Sequence, residues 1–256
     1  MKKLFLFLVL VLMTGSMIGQ ISYLQYRHLP ADQDEKFIER ETKHWSKVAA
    51  SAIKKGQMTS WTLWKKVGIT SSSDTSPNYV FVNTFENLDQ MDLNKVWTDN
   101  MDAIGDVKPE DIETSSFTTT TFDYWIQAED HIDGDYKYAL VNYAKPTDIS
   151  AFIQENKSLW KPLHEASIEN IMNGMTYWGI SSVIYPTGNL DRFSVYTVDG
   201  FNKLNDALDY LRWTETSANS PNAAAWDEVA DKTKMDELTP NGFERRIIYE
   251  RVMTLK

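Results

Sequence analysis

Hydrophobic positions along the chain switch between a two-residue period, which is typical of strands, and a helical period. Ile21–Leu29 is rich in aromatic and branched residues and is predicted to be a strand, which stops at Pro30. The apolar stripe from Phe37 to Ile53 predicts a helix, which Gly56 terminates. The rest of the first half is predicted to form two strands, a helix and a strand, at Ser60–Val67, Asn78–Phe85, about Glu86–Met101 and Thr118–Gln127.

The same order of elements is predicted again after the acidic segment Glu129–Asp135. The predicted strands and helices are, in chain order, Tyr136–Tyr143, Thr147–Asn173, Tyr177–Tyr185, Arg192–Val198, about Asn202–Trp213 and Arg245–Leu255. Pro162 should kink the longer helix, because its nitrogen cannot donate a hydrogen bond. Ser217–Trp226 has no counterpart in the first half and is predicted to be a loop-like insertion.

Aromatic residues recur in register between the two halves, about 115 residues apart. The clearest repeated positions are Phe37 and Phe152, Trp45 and Trp160, Trp61 and Trp178, and Trp97-Thr98-Asp99 and Trp213-Thr214-Glu215. We interpret the chain as a tandem duplication with repeats at residues 21–128 and 136–256. In each repeated Trp-Thr-acid motif, the Trp is expected to anchor a helix to the sheet and the polar pair to cap a turn.

The first 20 residues have the order of a secretory signal peptide. Lys2-Lys3 forms a short basic start, Leu4–Met13 is apolar, and Thr14-Gly15-Ser16 is small and polar. An uncleaved anchor is the alternative, but the apolar run is shorter than the roughly 20 residues that a membrane-spanning helix needs. We therefore predict cleavage between Ser16 and Gln20, export to the periplasm or the extracellular space, and no stable membrane anchor afterwards.

Composition excludes several classes of function. The net charge of −10 disfavours nucleic acid as a partner. The absence of cysteine excludes disulfides, thiolate metal ligands and thiol nucleophiles. The four histidines are not at metal-ligand spacing, and we expect surface or capping roles for His44 and His164. Glu129–Asp135 lacks the spacing of a calcium loop, since Ile132 stands where an oxygen ligand is needed, so a solvated connector is expected. No metal and no cofactor is predicted.

Two βαββαβ units, each with a Trp on its first helix and a Gly–Met–Trp passage into its second strand, resemble the dimeric α/β-barrel superfamily fused in tandem. That superfamily includes cofactor-independent monooxygenases, haem-degrading enzymes, muconolactone-type isomerases and chlorite dismutases. The resemblance implies an α+β fold in which two ferredoxin-like repeats form a single-chain, pseudo-dimeric α/β barrel. Two antiparallel sheets would face each other across a pocket, helices would cover the outside, and the protein would be a monomer.

Alternation along the predicted strands suggests which side chains point between the sheets. We assign the apolar positions Phe122, Tyr124 and Ile126 to the helix side, together with Val80 and Val82, so that their neighbours point inward. Comparable reasoning on the other strands completes the set of candidate ligand-binding residues, which is Arg27, Trp64, Tyr79, Asn83, Asp123, Trp125, Tyr177, Tyr249 and Arg251. Barrel packing with Arg–Asp pairing is the alternative role for these residues, and a register error of one residue would exchange the two faces.

Three functions remain open at this point, and whether the protein is an enzyme is not decided. The first is an exported protein that binds a small organic molecule between two sheets and has no identifiable catalytic apparatus. The second is a cofactor-independent oxygenase or isomerase acting on a small aromatic or lipid-like substrate, with Arg27, Asn83 and Asp123 as polarising groups. The third is a non-catalytic structural or interaction module that uses Ser217–Trp226. A filled barrel interior would favour the third function, and an open, polar-lined interior would favour the first two.

Overall fold

Eight strands close into one antiparallel barrel in the computed structural model, which describes residues 19–68, 75–170, 173–212 and 223–256. Their order around the barrel is β1-β3-β2-β8-β5-β7-β6-β4. The strands are β1 (Ile21–His28), β2 (Ser60–Lys66), β3 (Tyr79–Phe85), β4 (Thr119–Ile132), β5 (Tyr138–Ala144), β6 (Met175–Tyr185), β7 (Val195–Phe201) and β8 (Arg245–Leu255). Closure leaves none of these strands at a free sheet edge.

The barrel joins a sheet from each half of the chain. The first sheet has the order β4-β1-β3-β2 and the second has the order β8-β5-β7-β6. β2 pairs with β8 on one side, and β4 pairs with β6 on the other. The α+β class and the barrel expected from the sequence are therefore confirmed.

Helices pack on the outside of the barrel. In the first half they are α1 (Asp34–Arg40), α2 (Ser46–Lys54), α3 (Leu93–Thr98) and α4 (Pro109–Ile112). In the second half they are α5 (Ile149–Glu155), α6 (Lys161–Glu169), α7 (Leu204–Leu211), α8 (Ala223–Ala230) and α9 (Met235–Leu238). Among the residues that the structure describes, none of these helices has the length and apolar character of a transmembrane span.

The first long helix of each half is interrupted by a π turn. Glu41–Trp45 separates α1 from α2, and Asn156–Trp160 separates α5 from α6. Pro162 lies in the first turn of α6, directly after the second of these turns. Because the first half has the same interruption without a proline, Pro162 is not what breaks the helix.

Two aromatic clusters fix the helices to the sheets. Phe37 and Trp61 are fully buried in the first cluster, and Phe152 and Trp178 occupy the second. Burying a side chain of this size contributes about 1.5–3 kcal/mol, so these four residues are major determinants of the helix–sheet packing. The sequence had singled out all four as positions that recur between the two halves.

The predicted Trp anchors are only partly visible. Trp97 packs edge to face on Trp45, with 6.2 Å between ring centroids, and also against the buried cluster that contains Phe81 and Phe85 of β3, as expected of an anchor. Trp213-Thr214-Glu215 lies outside the described residues, as do residues 1–18 and 217–222. In the second half Trp226 packs on Trp160, with 5.6 Å between ring centroids. The described end of the Ser217–Trp226 segment belongs to helix α8, so the loop prediction is wrong there.

Only the end of the acidic segment, residues 133–135, is the solvated connector that its composition suggested, and its first four residues belong to β4. β4 extends to Ile132 and pairs with β6, with Asp130 opposite Ile180 and His131 opposite Gly179. Lys161 Nζ lies 2.7 Å from Asp130 Oδ1 and compensates part of the negative charge. Backbone pairing that closes the barrel outweighs the low strand propensity of acidic residues here.

Candidate functional site

Five of the nine candidate residues lie on the helix side of the sheets rather than inside the barrel. The inward orientation predicted for these residues is wrong, and they are Arg27, Tyr79, Asn83, Asp123 and Trp125. Tyr79 packs against Phe37 of α1 at 4.7 Å, and the Asp123 carboxylate accepts a hydrogen bond from the Tyr23 hydroxyl. The Arg27 guanidinium lies 4.5 Å from the centre of the Phe81 ring.

The error has a physical cause. The prediction assumed that the apolar face of each strand meets the helices, but the barrel interior is also apolar on β1, β3 and β4. Val80, Val82 and Ile126 line the interior, although they were assigned to the helix side. Phe122 and Tyr124 are also on the inner face, where Tyr26 packs on Phe122 at 4.5 Å.

The other four candidates do line the interior. Trp64, Tyr177, Tyr249 and Arg251 surround a cavity of about 240 Å³, which we call cavity A. A second cavity of about 230 Å³, cavity B, lies at the other end of the barrel. The predicted open space between the two sheets is therefore present.

Three stacked aromatic rings form one wall of cavity A. Tyr136 lies between Trp64 and Tyr177, with ring centroids 5.6 Å and 4.4 Å away and small interplanar angles. Gly200 leaves room for this stack, because a Cβ atom there would lie 2.6 Å from Tyr136 Cγ. Gly179 likewise leaves room for Tyr177, because a Cβ atom at Gly179 would lie 2.5 Å from the Tyr177 hydroxyl oxygen.

Polar groups of both signs surround the mouth of cavity A. Arg251 Nη1 lies 2.8 Å from Asp135 Oδ1, and His131 Nε2 lies 3.1 Å from Asp133 Oδ1. Burial raises the pKa of Tyr177 to about 12, with a smaller contribution from Asp133. Its hydroxyl therefore stays protonated at neutral pH and can donate a hydrogen bond.

Three tyrosines separate the two cavities, and they are the only residues that line both among those described. The Tyr143 hydroxyl lies 3.0 Å from that of Tyr26 and 3.2 Å from that of Tyr249. Burial raises the pKa of Tyr26 and Tyr143 well above the ordinary value and that of Tyr249 to about 12. All three hydroxyls are thus neutral donors and acceptors at physiological pH.

The sequence identified only one of these tyrosines. Tyr26 and Tyr143 were missed, although they lie on the first strand of each half, β1 and β5, close to the spacing of about 115 residues predicted from the sequence. That recurrence was the available signal. Tyr136 had no comparable signal, because it lies in the connection before β5 and its ring folds back into the barrel.

Two acidic side chains are buried outside the cavities, beneath the helices. Burial raises the pKa of Glu41 to about 7, against opposing effects of Arg27 and the Thr114 hydroxyl, whose oxygen is 3.0 Å away. Burial also raises the pKa of Asp199 to about 6. A hydrogen bond of 2.7 Å that Asn142 donates to the Asp199 carboxylate acts in the opposite direction and lowers this pKa.

One histidine prediction is wrong. His164 is buried on the side of α6 that faces the sheet, and its ring stacks on Trp178 with 5.5 Å between ring centroids. Burial lowers the pKa of His164 to about 4. The helix face that carries His164 packs on the sheet instead of facing solvent. His44 is partly buried. Within the described ranges, no group of three or more His, Asp or Glu side chains is arranged to hold a metal ion.

Comparison with known proteins identifies the fold. No protein-family model matches the chain, and no curated protein matches it. A "putative monooxygenase" from Lactobacillus acidophilus NCFM is similar in structure, with a TM-score of 0.53 and 10% identity over 93% of this chain and 96% of that one. A mutant chlorite dismutase from Candidatus Nitrospira defluvii has a TM-score of 0.50 and 10% identity over 96% and 94%. The chain therefore has the fold of dimeric α/β-barrel proteins over most of its length.

Proposed function

We propose that this protein binds a small organic molecule in cavity A. The observation that carries the proposal is a cavity inside the barrel that is walled by the Trp64–Tyr136–Tyr177 stack, with the Arg251 guanidinium at its mouth. Aromatic walls with a few convergent polar groups are the usual environment of a bound small molecule. The protonated Tyr177 hydroxyl adds a donor within the same wall.

The size of the cavity limits the ligand. At about 240 Å³, cavity A is smaller than the roughly 300–1,000 Å³ of sites for drug-sized molecules. A planar molecule of one or two rings fits this space and could stack on the exposed part of the aromatic wall. We therefore propose a small aromatic or quinone-like ligand.

The single-chain architecture is also part of the proposal. We infer that the chain arose by tandem duplication of a ferredoxin-like unit, so that one monomer supplies both sheets. The equivalent strand orders, the π turns Glu41–Trp45 and Asn156–Trp160, and the paired residues Trp61 and Trp178 support this origin. Export remains a proposal that rests on the signal-like residues 1–20.

The two alternative functions, an oxygenase or isomerase and a structural module, have less support. Arg27, Asn83 and Asp123 cannot polarise a substrate inside the barrel, because they lie on the helix side. An oxygenase or isomerase built on those three residues is therefore not supported. Two open cavities favour ligand binding over a purely structural role.

A thermal-shift screen tests the proposal. The purified protein is heated with phenols, quinones, uncharged one- and two-ring aromatics, hydrophobic acids and haem. We expect at least one class to raise the melting temperature, and Trp64→Leu and Tyr177→Leu to weaken its binding by about tenfold or more. Trp226→Leu is the matched control, because Trp226 is exposed and lies outside both cavities.

Two results would contradict the proposal. One is the absence of any hit by both thermal shift and calorimetry. The other is a hit whose affinity is the same in Trp64→Leu, Tyr177→Leu and the wild type.

A further inference from the structure

We propose that cavity B is a second binding site, for a small aromatic carboxylate. This inference goes beyond the proposed function, because it concerns a different end of the barrel and a ligand of defined charge. It stands on the shape, the charge and the aromatic lining of cavity B.

Cavity B is separated from cavity A by the three hydrogen-bonded tyrosines. Residues from Tyr249 toward the C-terminal end of β8, as far as Thr254, contribute to the lining of cavity A. Residues from Tyr249 back toward the start of the strand, as far as Glu244, contribute to the lining of cavity B. On β2, Trp64 faces cavity A and Lys66 faces cavity B. A ligand in one cavity is therefore not in contact with the other, and the two sites can be tested independently.

The charge of cavity B is positive, although the protein as a whole is acidic. Lys66, Arg192 and Arg245 line the cavity, and Glu244 is the one acidic residue among its described lining residues. The side chains of these three cations make no ion pair or hydrogen bond within the described part of the chain. Three cations without an ion pair around one cavity, in a chain of net charge −10, favour an anionic ligand.

The geometry of the cations favours a carboxylate. A guanidinium presents parallel N–H donors that match the two oxygens of a carboxylate. The Arg192 guanidinium already lies over the Phe122 ring at 4.4 Å, which limits its freedom and keeps it at the cavity. Less side-chain entropy is then lost when Arg192 binds an anion.

The remaining wall is aromatic. Phe193 is buried and packs on Tyr143 and Tyr124, at 4.7 Å and 4.4 Å between ring centroids. Phe122 and Ile247 extend this apolar surface. A volume of about 230 Å³ suits a molecule of one or two rings. The ligand class that satisfies both the cations and the wall is therefore an aromatic carboxylate.

The tyrosines can contribute one further hydrogen bond. Three hydroxyl groups supply three donors, and the contacts of Tyr143 with Tyr26 and Tyr249 use two of them. One donor of the chain thus stays available to a carboxylate or phenol oxygen at the floor of the cavity.

Fluorescence and calorimetric titration with 2-naphthoate test the inference. We expect 2-naphthoate to bind the wild-type protein, and Arg192→Gln and Arg245→Gln each to weaken its binding by about tenfold. Arg212→Gln is the matched control, since Arg212 is exposed and outside both cavities, and it should bind 2-naphthoate as the wild type does. The uncharged 2-naphthol and the ring-free acetate should both bind more weakly than 2-naphthoate. Melting temperatures confirm that the variants are folded.

The inference is overturned if 2-naphthoate does not bind, or if Arg192→Gln and Arg245→Gln both retain wild-type affinity. It is also overturned if Trp64→Leu abolishes 2-naphthoate binding while Arg245→Gln does not, because the ligand would then occupy cavity A. Loss of cavity A ligands in Trp64→Leu with unchanged 2-naphthoate binding supports two separate sites. Failure of the cavity A screen alone contradicts only the proposed function.

Discussion

The hydroxyl oxygens of Tyr26 and Tyr143 lie 3.0 Å apart in the middle of the barrel, where the first strand of one sheet faces the first strand of the other. Tyr249 extends the contact at 3.2 Å from Tyr143. These side chains join the two halves of the chain through the interior. They also divide the interior into two cavities that differ in charge and in lining.

Tyr143 is the central member of this chain, and its hydroxyl contacts both others. We expect Tyr143→Phe to lower the free energy of unfolding by about 1–3 kcal/mol, because two buried hydroxyls lose their shared partner. Urea unfolding measures the change. Tyr185→Phe, on an exposed tyrosine, should have no measurable effect. Equal unfolding midpoints for Tyr143→Phe and the wild type would show that the hydroxyl chain does not stabilise the barrel.

Gly200 provides the space for the aromatic wall of cavity A. An alanine Cβ at this position would lie 2.6 Å from Tyr136 Cγ and 2.7 Å from Tyr177 Cβ. Gly200→Ala is therefore expected to destabilise the protein by about 1–3 kcal/mol. The cost should fall in a Tyr136→Ala background, since the shortest of these contacts, with Tyr136 Cγ, is then absent. Gly188→Ala is the control, as its nearest neighbour is 3.4 Å away. Additive effects of Gly200→Ala and Tyr136→Ala would contradict the contact.

Glu41 makes stability depend on pH. Its folded-state pKa is raised from 4.5 to about 7 by burial, so the native state holds a proton that the unfolded chain releases. The wild type therefore loses stability as pH rises from about 4.5 through about 7. Glu41→Gln removes this loss, and its melting temperature relative to the wild type should rise between pH 5 and pH 8. Glu110→Gln, on an exposed residue, should show no such trend. A constant difference across this range would argue against a neutral buried Glu41.

The side of the sheet on which a residue lies predicts its effect on ligand binding. Asp123→Asn changes a carboxylate on the helix side, so the affinity of a cavity A ligand should be unchanged. Arg251→Gln changes the mouth of cavity A and should weaken an oxygen-containing ligand by about tenfold. Calorimetric titration of both variants compares the two faces directly. A large loss in Asp123→Asn with none in Arg251→Gln would reverse the assignment.

Much of the fold was predictable because the hydrophobic periodicity of a helix or a strand is visible within a short stretch of sequence. Phe37 was placed on the apolar stripe of a helix from its spacing, and Phe152, Trp61 and Trp178 were singled out by their recurrence. All four are buried. The barrel was expected from a resemblance to dimeric α/β-barrel proteins and from the need of each predicted sheet to bury its second face. The extension of β4 to Ile132 was not predictable from residue types, since pairing with β6 determines it.

The site was less predictable because a strand buried on both faces gives no alternation that distinguishes inside from outside. Val80 and Tyr79 are both buried, one in the interior and the other beneath a helix, so either assignment fits the sequence. On β2 and β8 the inward assignments of Trp64 and Arg251 were correct, and both residues line cavity A. Tyr136 depends on a tertiary contact with Tyr177 that no local pattern encodes.

The most direct test of the account is a crystal structure of the protein with a ligand from the cavity A screen. We expect electron density for the ligand inside the barrel, against the Trp64–Tyr136–Tyr177 wall and on the cavity A side of Tyr26, Tyr143 and Tyr249. Density on the helix side, next to Asn83 and Asp123, or a barrel interior closed by side chains would contradict it.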